Sequence, residues 1–113
     1  MQIINQSKKT ILAEEVLLAD TFVKRMVGLL LHNKPLKSGQ ALILKPCNCV
    51  HTFFMRFSID CLFVDKQKKV IKALHNLLPF RITPLYLSSQ LVIELPAGTI
   101  LSSATQEGDI LDL

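Results

Sequence analysis

From Thr52 to Cys61 the sequence is best read as extended chain, and that reading constrains the fold more than any other feature. Extended backbone sends successive side chains to opposite faces. Thr52, Phe54, Arg56, Ser58 and Asp60 then share one face, and Phe53, Met55, Phe57, Ile59 and Cys61 share the other. The second face is wholly apolar and reads as a wall of the core. The first is polar but carries an aromatic ring, a mix suited to a concave surface or an interface. Arg56 and Asp60 are four residues apart, about 13 Å along a straight strand at a rise of roughly 3.3 Å per residue. They pair only if the chain bends near Phe57-Ser58.

The same logic extends outward. Residues 2–5 and 10–18 read as strands joined by the polar turn Gln6-Ser7-Lys8-Lys9. Ala41-Leu42-Ile43-Leu44 and Leu91-Val92-Ile93-Glu94-Leu95 read as buried strands, closed by Pro46 and Pro96. Val64 and Val70 flank a hairpin turn, Asp65-Lys66-Gln67-Lys68-Lys69, and the return strand runs to Leu74. One segment has helical spacing. Asp20-Thr21 offers an N-cap, Phe22, Val23, Met26, Leu29 and Leu30 form a stripe, and Asn33 and Pro35 end it. Gly28 inside that helix points to close approach of a strand. Asn76 to Pro84 has no period and two prolines, so it is a long loop, a class that tends to carry function. Thr99 caps a short helical turn through Ala104, Gln106 to Asp109 is a tight turn, and Ile110-Leu111 closes the sheet.

A chain of 113 residues, half of them apolar and 19% charged, is one domain, 1–113, with enough core to fold alone. The apolar excess implies strands covered on both faces or a patch used in association, which leaves homo-oligomers open. The net charge of +4 is scattered apart from Lys66, Lys68 and Lys69. No basic stripe alternates with aromatics, so no nucleic-acid partner is expected. Apolar runs such as Val27 to Leu31 are too short to span a bilayer, so no membrane partner is expected. Met1 to Lys9 lacks the order of a signal peptide, and three cysteines suit free thiols in a reducing cytoplasm.

Cys47, Cys49 and His51 share one face of an extended chain and are competent zinc or copper ligands. A fourth ligand would come from Cys61, His75, an acid or water. No second cysteine pair accompanies them, so buried thiols are the expectation, with no cofactor. Nothing frames a cysteine nucleophile, and four unclustered glycines make no phosphate cradle.

The polar groups set among apolar neighbours are the better candidates: His51, Thr52, Arg56, Asp60, Arg81, Glu94 and Asp109. Glu94 stands alone in an apolar run and needs a partner, for which Arg56, Arg25 or Arg81 would serve. The first six form the expected ligand-binding set of a small cytoplasmic binding module for a polar ligand, a carbohydrate or an anion. One alternative is an acid/base enzyme using His51, Asp60 and Glu94, or a metal-assisted one through Cys47, Cys49 and His51. Another is an interaction protein with no small-molecule site. An Arg56–Glu94 or Arg56–Asp60 pair that only fixes strand geometry is the structural alternative.

The run His51-Thr-Phe-Phe-Met-Arg-Phe-Ser-Ile-Asp-Cys-Leu-Phe-Val-Asp65 resembles the signature of the uncharacterised DUF192 family, also called UPF0127. Lys24 to Leu29, Leu78-Pro79-Phe80-Arg81, Val92 to Thr99 and Gly108-Asp109 fit the family pattern in order. The resemblance covers roughly residues 15 to 113. It departs at Ser58, where the family usually has proline. It implies a mainly β fold with one α-helix, a β-sandwich of jelly-roll-like or barrel-like form, and it implies no reaction.

Overall fold

The computed structural model describes residues 2–19, 36–50 and 57–113. These hold eight strands, β1 (Ile3–Asn5), β2 (Thr10–Ala13), β3 (Glu15–Ala19), β4 (Gln40–Leu44), β5 (Ile59–Val64), β6 (Val70–Leu77), β7 (Leu91–Pro96) and β8 (Leu111–Asp112). A single short helix, α1 (Thr99–Ser102), precedes β8. The helix expected from Asp20 to Pro35 lies outside the described residues, as do His51, Thr52 and Arg56.

The strands form a three-stranded sheet, β2-β1-β8, and a five-stranded sheet, β3-β4-β7-β5-β6. β3 and β4 are parallel, and the other neighbours are antiparallel. Ile3, Leu12 and Leu111 of the small sheet pack with Ala41, Ile43, Leu62, Val64, Ile93 and Leu95 of the large one, and Ile100 of α1 joins them. This is a sandwich; among the described residues neither sheet closes into a barrel.

The outer face of the large sheet has its own apolar layer. Ile59, Cys61, Phe63 and Val92 pack there with Cys47 and Val50, and Tyr86 lies against them. The Phe63 and Tyr86 rings sit 4.5 Å apart, tilted by 55°, the oblique arrangement aromatic pairs favour. β5 is therefore buried along its whole length: β6 and β7 flank it, and both faces are covered. Asp60, expected on a polar face suited to a concave surface or an interface, is buried, and Thr52 to Arg56 of that face lie outside the described residues. Asp60 belongs to the face that turns to the small sheet.

The strand expected over residues 10–18 is two strands in different sheets. The chain switches at Glu14, where the Glu14 and Glu15 amides both donate to the Gly39 carbonyl, at 2.8 and 3.0 Å. Gly39 has φ +86°, a backbone state glycine adopts without penalty. The β5–β6 turn is built by Asp65, whose Oδ1 accepts the Gln67 and Lys69 amides. Such self-bonding is why aspartate opens turns.

Candidate functional site

Asp60 lies opposite an irregularity in β6. Ile59 pairs with Leu77 and Cys61 with Leu74, so two residues of β6 face one of β5. The bulge puts Asn76 at φ +52° and takes its amide out of the ladder. Asp60 Oδ1 accepts that amide at 2.8 Å. Its Oδ2 accepts the amides of Gly98 (3.1 Å) and Ile100 (2.9 Å). Those amides belong to the start of α1, whose N-cap is Gly98, with no side-chain cap of its own. Thr99, the expected cap, instead donates its hydroxyl to the Pro96 carbonyl. Asp60 thus caps the helix from another strand, with its charge where helix N-termini favour it. It is 0% exposed.

Glu94 occupies the middle of β7, between Leu42 of β4 and Cys61 of β5. It is 2% exposed. Asp60 pairs with Leu95 and Cys61 with Glu94, so the two carboxylates point to opposite faces of the sheet. A joint acid/base role on one substrate atom therefore has no geometric support. Burial, and then the charges of Glu94, Asp60 and Cys47, push the Cys61 thiol well above its ordinary range. It is a neutral buried thiol rather than a nucleophile. The Cys47 thiol donates to the Cys49 carbonyl at 3.1 Å. Among the described residues no group of three His, Cys, Asp or Glu side chains is placed to hold a metal.

Arg81, the remaining expected site residue, is exposed on the loop between β6 and β7. This loop contains what the sequence reading missed. Its backbone is fastened to the segment before residue 51. The Thr83 amide donates to the Val50 carbonyl (2.9 Å), and the Tyr86 amide to that of Asn48 (2.8 Å). The Val50 amide returns a bond to the Thr83 hydroxyl (3.0 Å), and the Ser89 hydroxyl donates to the Cys47 carbonyl (3.0 Å). Thr83 and Ser89 are buried. Between these anchors the side chains stand out: Leu78 is 47% exposed, Phe80 69%, Ile82 67%, Leu85 63% and Leu87 83%. The result is an apolar ridge on a tied-down loop, with Arg81 inside it. Two sequence signals mark it, the paired prolines and the lack of any acidic residue from 66 through 93.

The structure brings Cys47, Cys61 and Val50 together on the outer face, where Glu94 also projects. It buries Asp60 on the inner face and leaves Arg81 on the ridge.

A solved protein of unknown function from Novosphingobium aromaticivorans DSM 12444 has the same fold, with a TM-score of 0.80 at 18% identity, covering 99% of this chain and 82% of that one. A UPF0127 protein from Pyrococcus abyssi is 36% identical over 113 residues, covering 95% of this chain and 92% of the relative. One from Pyrococcus horikoshii is 34% identical, with 95% and 94% covered. The DUF192 family profile, described as "Uncharacterized ACR", matches residues 3–113. With that match and those relatives, the chain belongs to the DUF192 (UPF0127) family.

Proposed function

We propose that this protein is a non-catalytic binding module whose contact surface is the ridge from Leu78 to Leu87. One observation carries the reading: five large apolar side chains stand exposed on a loop whose backbone is held in place. A loop that only linked two strands would carry polar residues at its outward positions. Concentrated exposed apolar groups mark surfaces that become covered. Covering one Leu, Ile or Phe side chain is worth about 1.5–3 kcal/mol before the costs of association.

The test is Phe80→Ser combined with Leu87→Ser. The melting temperature is expected to stay within about 5 °C of the parent, since surface substitutions change stability little. Fluorescence of a bound apolar dye is expected to fall several-fold. An unchanged dye signal in the folded variant would show that the ridge is not an exposed contact surface.

A second reading keeps the polar ligand, a carbohydrate or anion held by residues drawn from His51, Thr52, Arg56, Asp60, Arg81 and Glu94. Glu94 favours it. This carboxylate is kept at the centre of the most buried part of the sheet, on the face of Cys47 and Val50, from which the chain runs into His51. Burying a carboxylate is costly unless it is partnered, so a chain that keeps one in its core holds it by specific contacts. Of that set Asp60 has its carboxylate on three backbone amides, so its part in this reading is to hold the β6 bulge and the start of α1. A sugar or anion should raise the melting midpoint of the parent and not of Glu94→Gln. A flat panel of sugars and anions retires this reading.

A further inference from the structure

Resting on the ridge reading, we propose that the ridge docks on the surface of an anionic lipid bilayer, with its apolar side chains seated among the headgroups and its basic flank on the lipid charge. The case starts from charge. From residue 66 through 93 there is no Asp or Glu, while Lys66, Lys68, Lys69, Lys72 and Arg81 fall in the same span. Lys72 has a partner in Glu107, at 3.6 Å. Lys66 and Arg81 lie at the ridge itself. Lys66 and Leu87 line one cleft of about 450 Å³, so the β5–β6 turn lies beside the end of the ridge. The carboxylate in that cleft, Asp65, is buried and turned to its own turn amides. Arg81 sits between Phe80 and Ile82, and all three are exposed. Apolar side chains mixed with cations are the chemistry that anionic bilayer surfaces select.

The other occupants fit less well. A second copy meeting the ridge across a two-fold axis would set this basic patch against itself. A stable interface with a folded protein buries about 800 Å² per side, so the ridge would need flanking surface to reach it. A bilayer needs only a few protruding side chains and adjacent cations. No helix among the described residues is long and apolar enough to cross a membrane. The expectation of no membrane partner rested on the lack of a spanning run and does not bear on a surface contact.

The experiment is co-sedimentation of the whole chain with vesicles of phosphatidylcholine alone and of equimolar phosphatidylcholine and phosphatidylglycerol, at low and high salt. Binding is expected only to the anionic vesicles. It should weaken about tenfold at high salt, and about tenfold with Phe80→Ser/Leu87→Ser or with Arg81→Glu. If the first double variant fails to fold, Ile82→Ser/Leu85→Ser serves in its place. Equal binding to both vesicles, or anionic binding that survives the ridge substitutions, overturns the proposal. Dye binding at the ridge with no vesicle binding overturns it but leaves the ridge as a contact surface. Retention on an immobilised acidic amphipathic peptide without vesicle binding would assign the ridge to a protein. Absence of both dye and vesicle binding in the parent protein removes both readings.

Discussion

Asp60→Ala is expected to destabilise the protein by about 4 kcal/mol, one of the two largest effects of any single polar substitution here. Its carboxylate serves three backbone amides, those of Asn76, Gly98 and Ile100. Alanine leaves all three without their acceptor in a fully buried place, and each such loss costs about 1–3 kcal/mol, with partial relief as the backbone relaxes. The damage spreads beyond one contact. The Asn76 bond holds the β6 bulge, and the other two hold the start of α1, whose Ile100 plugs the core between the sheets. Asp60→Asn should cost about half as much, since its carbonyl can still serve Gly98 and Ile100 while its amide group faces the Asn76 donor. Urea melts of the three proteins check this. A loss under about 1 kcal/mol for alanine would mean that the carboxylate does not hold these elements.

Asp109→Ala is expected to cost about 3 kcal/mol, and the parent should carry the signature of this carboxylate in its acid limb. Asp109 Oδ2 accepts from the Asn5 side chain (2.9 Å) and the Gln106 amide (3.0 Å). Its Oδ1 takes the Lys8 amine at 2.7 Å. Asn5 is fully buried and also donates to the Thr105 hydroxyl, so alanine would strip a buried network that joins β1 to the end of the chain. Burial alone would raise the Asp109 carboxyl, but the Asn5 and Lys8 side-chain bonds, the Gln106 amide and the Lys8 charge outweigh it and hold it below its ordinary value. A depressed folded-state value means the unfolded chain binds the proton first as pH falls. The stabilisation is complete above the ordinary carboxylate range near 4 and drains away as pH drops through the folded value. Denaturation midpoints measured from neutral pH down to about pH 2 should therefore fall below about pH 4 in the parent. The fall should be shallower in Asp109→Ala. Equal acid limbs in the two proteins would remove Asp109 from the effect.

Much of this architecture could be read locally. Ala41 to Leu44 of β4 is an apolar run, β7 is one interrupted only by Glu94, each runs up to a proline, and the β5–β6 turn announces itself through Asp65, which bonds its own loop. What stayed hidden depends on long-range register. Nothing near Asp60 says that it will pair with Leu95, yet that pairing sends Glu94 to the opposite face and separates two residues expected to converge. The split between β2 and β3 depends on the carbonyl of Gly39, far along the chain. The role of Asp60 needed the left-handed Gly98 and the bulge at Asn76, and the bulge has no marker in sequence. The ridge was legible only as an aperiodic loop with two prolines. Leu85 and Leu87 would ordinarily be read as buried, and only the anchors at Thr83, Tyr86 and Ser89 show why they face out.

Amide hydrogen exchange across the loop tests most directly whether the ridge is held rather than merely floppy. The Thr83 and Tyr86 amides, bonded to Val50 and Asn48, are expected to exchange about a hundredfold more slowly than those of Leu85 and Leu87. Uniform exchange at unprotected rates from Leu78 to Leu87 would contradict a fixed apolar surface and, with it, the binding module built on it.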